Sequence, residues 1–302
     1  MKSKKILGPV LLLSAAMIWG LSFVFQKEGM DYVDTFTFNG IRTMVGAVVL
    51  LPIAIFRKRK AELAAPKTKE QKKKELRGIL IVGMCLFVGS NLQQAAFKDL
   101  APGKVGFITA LYMLLVPVFG FLIFRRRLAV TVWIGVGIGL VGLYLLCVGT
   151  GVDLSFGKGE ILTLICAFAF AFHIIAIDYF ASDVDSAVLS CGQFLIAGGL
   201  SCVCMFIFEK PEWSNILQAG IPILYAGIMS CGVAFTFQII GQKYTEPTLA
   251  SMLLCLESVF SVIFSLIILH TQMLPREYIG CAVMFGAILL AQIPSKSEKQ
   301  NQ

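Results

Sequence analysis

Apolar residues run along this chain in continuous blocks, not in strict alternation. Ten blocks can be marked, at 8–26, 36–56, 78–97, 104–124, 129–148, 159–179, 187–208, 217–240, 248–269 and 277–293. A helix needs about 20 apolar residues to cross the hydrocarbon core of a bilayer, and each block approaches that length. A membrane-spanning barrel would show segments of about ten residues with alternating polarity instead. The pattern predicts an all-α integral membrane protein with ten transmembrane helices.

Composition agrees and removes other classes. Of 302 residues, 57% are hydrophobic and 15% charged, against about 25% charged in a soluble domain. Folded in water, such a chain would expose more apolar surface than a soluble monomer tolerates. The nine cysteines all lie inside apolar blocks. An odd set scattered through hydrocarbon is no disulfide framework and reads as small buried hydrophobes. Lys2, Lys4 and Lys5 before an apolar run imitate a signal peptide, but the run continues to Phe25 with no cleavage site. It reads as the first span.

The net charge of +8 changes the picture only through its placement. Ten of the 26 Lys and Arg residues fall between Arg57 and Arg77. With the N-terminus in the cytoplasm, 19 lie in inner segments and six in outer ones, with Arg42 inside a span. The positive-inside rule then puts both termini in the cytoplasm of a cell-membrane protein. This distribution is a topology signal and not a nucleic-acid face. The 57–77 loop also offers charge to anionic membrane lipids.

The chain repeats itself. Gln93, Lys98, Pro102 and Gly135 recur 145 residues later as Gln238, Lys243, Pro247 and Gly280. The first helices align better at a separation of 151, where Trp19 meets Phe170 and Arg42 meets Gln193. Each repeat holds five spans, so the second enters the membrane in the opposite sense. The domains are therefore 1–150 and 151–294, followed by a cytoplasmic tail, 295–302. Inverted repeats of this kind characterise secondary transporters, with the substrate site at the repeat interface near the midplane.

Polar residues inside spans mark the candidate chemistry, because a charge at a helix centre costs about 2.5–3.5 kcal/mol on insertion scales. Arg42 shares a stripe with Asn39, Thr43 and Gly46. It either clamps a substrate carboxylate with two parallel hydrogen bonds, or snorkels toward Glu28, Asp31 or Asp34. Glu257, midway along the ninth span beside Ser258, Ser261 and Ser265, is either a proton-coupling carboxyl or a hydrogen-bonded structural one. Asn91, Gln94 and Lys98 share one face of the third span, and Gln238 occupies the related stretch of the eighth. Such amides line a pore or join helices. Trp19, Tyr112 and the nearby phenylalanines either form an apolar wall of the site or pack as ordinary core. His173 is a proton relay or a neutral core histidine. Gly135, Gly139 and Gly142 in the fifth span, and Ala282 and Gly286 in the tenth, permit close helix contact within the monomer or in a homodimer. No helical zinc motif and no phosphate-binding loop is present, so no cofactor or metal is expected.

Across nearly its whole length the chain resembles the EamA-like family of the drug/metabolite transporter superfamily. The likeness rests on Trp19-Gly20-Leu21-Ser22-Phe23-Val24, Arg42, Leu115-Val116-Pro117-Val118-Phe119 and Trp133-Ile134-Gly135 in the first half. In the second it rests on Ala171-Phe172-His173, Gln193-Phe194, Leu256-Glu257-Ser258-Val259-Phe260 and Tyr278-Ile279-Gly280. The family's Leu-Glu-Pro reads Leu256-Glu257-Ser258 here, its Gly-Glu-Arg turn reads His270-Thr271-Gln272, and after the fourth span Arg125-Arg126-Arg127 replaces that turn. The resemblance implies a ten-helix carrier of small metabolites, often an exporter of amino acids or related compounds. The expectation is a secondary active transporter and no enzyme. Its rivals are an intramembrane lipid-modifying enzyme, which needs a catalytic cluster that two histidines at opposite membrane faces do not supply, and a passive channel or scaffold.

Overall fold

The computed structural model describes residues 2–100, 102–125, 128–147, 157–268 and 274–291. His270 and the tail 295–302 lie outside these, as does the 150/151 boundary between the halves. Eight of the described helices are long and apolar enough to cross a membrane, and Val130–Leu145 is a shorter apolar helix. With Pro275–Ala291 they make ten runs in the places the hydropathy pattern marks. Backbone amides in lipid must bond within their own segment, which is why continuous apolar blocks become helices.

The first three spans are the helices Lys2–Gly29, Thr35–Ala64 and Lys69–Ala96. The second and third extend well past the hydrocarbon length, so the basic stretch 57–77 is a charged helical hairpin and not an irregular loop. Thr68 closes its turn with a capping box: Gln71 N donates to Thr68 Oγ1 at 3.2 Å and Thr68 N to Gln71 Oε1 at 2.9 Å. That satisfies amides which would otherwise be orphaned at a helix start.

The fourth span is interrupted. Pro102–Thr109 and Tyr112–Phe124 are separated by Ala110 and Leu111. Its counterpart, the ninth, breaks at the same place in the repeat, between Pro247–Leu254 and Leu256–Ile268. The two breaks touch, with Cys255 Sγ 3.4 Å from Ala110 O. The fifth, sixth, seventh and tenth spans are Val130–Cys147, Lys158–Phe180, Ser186–Phe208 and Pro275–Ala291. The eighth runs from Gly220 to Gln242 and contains a ten-residue π-helix, Ala226–Phe235.

Packing reveals the symmetry more directly than the sequence. The second span lies along the seventh and the fifth along the tenth. The first packs on the eighth and ninth, while the sixth packs on the third and fourth. The third meets the seventh and the second meets the eighth. Exchanging each span for the one five places later maps this set onto itself. Nearly all of these large contacts join one half to the other, so the core belongs to the pair of halves jointly.

Glycines set the closest crossings. A Cβ on Gly142 would stand 2.8 Å from Met284 N and 2.9 Å from Gly280 O, and one on Gly135 would stand 3.1 Å from Ala287 O. These are repeat-related contacts across the fifth–tenth crossing. Gly137 and Gly286 meet nothing within 4 Å.

Candidate substrate cavity

A cavity lies where the halves meet. The repeat offsets pair most of its lining: Trp19 with Phe170, Phe23 with Ile174, Ser90 with Phe235, Gln93 with Gln238, Thr109 with Leu254, and Tyr112 with Glu257. Gln26, Arg42, His173 and Ser230 complete it. The Tyr112 hydroxyl donates to Glu257 Oε1 at 3.5 Å. Two repeat-equivalent side chains thus meet directly, each just past the break in its span. That contact places the cavity on the pseudo-twofold axis.

One wall is aromatic. Trp19 and Phe235 pack edge to face at 4.7 Å, and the His173 ring meets Phe235 at 5.8 Å and Phe170 at 6.3 Å. His173 Nε2 lies 2.9 Å from Gln193 Oε1. With that oxygen as acceptor the proton sits on Nε2.

Arg42 is charged, only 4% exposed, and held from one side. Its Nε donates to Asn39 Oδ1 at 2.6 Å. Asn39 Nδ2 donates in turn to Ser90 O at 2.9 Å and Asn91 Oδ1 at 3.1 Å, and Asn91 Nδ2 donates to Ser201 Oγ at 2.8 Å. Phe38 flanks the guanidinium, its ring centre 5.6 Å from Cζ. Among the described residues no carboxylate pairs with Arg42. Asp34 is taken by Lys98 at 2.6 Å.

Of the residues singled out from the sequence, Trp19, Arg42, Tyr112, His173, Gln238 and Glu257 come together around the cavity. Asn39, Asn91 and Gln94 stand behind its wall. Gln94 Nε2 donates to Gln26 O at 3.0 Å, tying the third span to the first. Gln93 and Phe170 line the cavity and were missed. The repeat was the signal that finds them, since they are the counterparts of Gln238 and Trp19. Three buried polar atoms of the lining have no partner among the described residues: Trp19 Nε1, Gln26 Oε1 and Gln238 Oε1. A buried polar group left unpaired is costly, so these atoms are points where a polar solute gains contacts.

Comparison with known proteins decides the identity. The sequence pattern of the EamA-like transporter family matches residues 6–148 and again 157–292. The chain belongs to the EamA-like transporter family. An uncharacterized transporter of Archaeoglobus fulgidus is 24% identical over 290 residues, covering 96% of this chain and 87% of the relative. The uncharacterized transporter YoaV of Bacillus subtilis is 24% identical over 286 residues, covering 92% of each. A solved crystal structure shares the fold, with a TM-score of 0.76 over 97% of both chains at 22% identity. This EamA-like transporter is therefore an all-helical, multi-pass membrane protein of the drug/metabolite transporter superfamily, and not an enzyme.

Proposed function

We propose that this EamA-like transporter is a secondary carrier of a small organic metabolite, an amino acid or related compound, working by alternating access at the central cavity. The observation that carries the reading is the cavity's position between repeat-equivalent walls. Two inverted halves that share one site can exchange conformations, and that exchange opens the same site to opposite faces. The lysine and arginine distribution supports both termini in the cytoplasm, with repeats at 1–150 and 151–294 in the cell membrane and the tail 295–302 inside. Efflux is the proposed direction.

Glu257 supports proton coupling. It is 5% exposed and faces Tyr112 across the axis, with Arg42 and His173 in the same cavity. Cys166 is the thiol beside it, and Cys255 lies beside Tyr112. A carboxyl that alternates between protonated and substrate-bound states exchanges one ligand for the other.

Counterflow tests the carrier reading. Liposomes holding the purified chain are loaded with an unlabelled amino acid or organic acid that stabilises it, then given traces of the labelled compound. A carrier concentrates the label transiently above its equilibrium level. Equilibration without that overshoot identifies a channel and overturns the reading.

A further inference from the structure

We propose that the cargo is an organic anion, a carboxylate or phosphoryl compound with an apolar body, and that it binds through the two terminal Nη groups of Arg42. This rests on the cavity being the transport site, and it names the chemistry that site selects.

The guanidinium is buried and charged, with no counter-ion among the described residues. An isolated charge in a low-dielectric interior is strongly unfavourable, and one partner of the missing kind relieves it. Among the described residues, neither Glu28, Asp31 nor Asp34 forms an ion pair with Arg42. Asp34 pairs with Lys98. Glu209 accepts from Phe36 N, Thr37 N and Thr37 Oγ1 at the start of the second span. Glu257 shares the cavity, yet it accepts from Tyr112 and forms no ion pair with Arg42.

The fold does not require a cation there. Gln193 occupies the equivalent position in the other half, and its Oε1 is used by His173. The same structural place is thus filled by a neutral amide in one half and a charge in the other. What the arginine adds is chemical.

It is also aimed. The Ser201–Asn91–Asn39 chain fixes Nε and with it the plane of the guanidinium. Both Nη groups carry no hydrogen bond to a described residue. A planar pair of donors presented this way fits a carboxylate or phosphoryl group through two parallel bonds. Trp19, Phe170 and Phe235 offer aromatic surface in the same cavity for the apolar part. Asn39 is then a positioning residue, because it acts through Arg42.

Binding to the purified full chain in nanodiscs tests this, using benzoate, phenylphosphonate, benzamide and benzylammonium as probes. Benzoate or phenylphosphonate should raise the melting temperature, and whichever does so tells a carboxylate from a phosphoryl preference. Benzamide and benzylammonium should not. Arg42→Gln should weaken anion binding about ten- to hundredfold, the range for a lost charge-assisted pair. Arg42→Lys keeps the buried cation and a donor to Asn39 Oδ1 but loses the planar pair of donors, so it should weaken anion binding while the chain stays folded. That variant keeps the test decisive if Arg42→Gln does not fold. Equal binding of benzamide and benzoate, undiminished anion binding in either variant, or no stabilisation by either anion overturns the proposal. Anion binding without counterflow would instead leave it standing and overturn the carrier reading. Counterflow confined to solutes that carry no carboxylate or phosphoryl group would do the reverse.

Discussion

At the scale of single residues, the cavity's two ionisable centres differ in kind. Arg42 is fixed by neighbours on the second and third spans. Glu257 touches its own repeat counterpart, Tyr112, at 3.5 Å. A long hydrogen bond across a symmetry axis is a weak tie, suited to a group that changes partners. If Glu257 couples transport to protons, Glu257→Gln should keep counterflow and lose accumulation driven by a pH gradient. Flux assays in proteoliposomes with and without the gradient measure both. Gradient-driven accumulation that survives the substitution makes Glu257 structural. Tyr112→Phe removes only the hydroxyl and should change the flux less than threefold.

How much of the site was legible follows from these residues. Arg42 and Glu257 were visible because charge inside an apolar block is rare and costly. Asn91 and Gln94 were equally visible, and helical spacing put them on one face. It could not say that the face meets Ser201 and the first span. Gln93 and Phe170 drew no attention individually, since an amide at a span's end and a phenylalanine in a phenylalanine-rich chain are ordinary. Their meaning comes from the partner 145 or 151 residues away.

At the scale of elements, hydropathy located every span but could not resolve their interiors. The breaks at Ala110–Leu111 and Cys255 sit inside unbroken apolar runs with no proline or glycine at the break. The π-helix at Ala226–Phe235 holds Gly227 and Gly232, but glycines are common throughout these spans and do not mark it. Such segments arise where tertiary contacts outweigh regular helical bonding, and they recur at functional sites. Here both breaks and the π-helix border the cavity.

The fifth–tenth crossing was legible as a pattern of small residues, though only part of that pattern is used. Gly142→Val should cost about 1–3 kcal/mol, the range for overpacking a tight contact, because its Cβ would lie 2.8 Å from the Met284 backbone. Gly137→Ala, which meets nothing within 4 Å, should be neutral or stabilising by up to about 1 kcal/mol from helix propensity. Melting of the two variants in detergent distinguishes them. Equal behaviour would show that the crossing is not set by glycine contact.

At the scale of the whole molecule, the halves share one core. The first half, residues 1–150, should therefore be degraded or aggregate when expressed alone and be rescued by co-expression of residues 151–302. Protease resistance in membranes reads this directly. A stable isolated half would contradict a core built between halves. The doubled architecture was legible from a handful of matches, because five spans per repeat force inversion whatever the side chains are. The interleaving was not, since no single half records which helices it will meet.

In alternating access one cavity opens in turn to each face. At the Lys98 end, the Lys98–Asp34 pair joins the tips of the second and third spans, and Lys27 Nζ donates to Phe97 O at 2.7 Å between the first and third. The decisive measurement uses a cavity thiol, Ser230→Cys, in a chain whose own nine cysteines are replaced by alanine. Reactivity with a membrane-impermeant maleimide is followed from each face of sealed vesicles. The thiol should react from both faces. A reducible thiol cross-linker of about a lysine's length between Asp34→Cys and Lys98→Cys should restrict reaction to the face that carries the chain termini, and a reductant should restore both. Reaction from one face only in the uncrosslinked chain, or from both faces after cross-linking, would contradict alternating access.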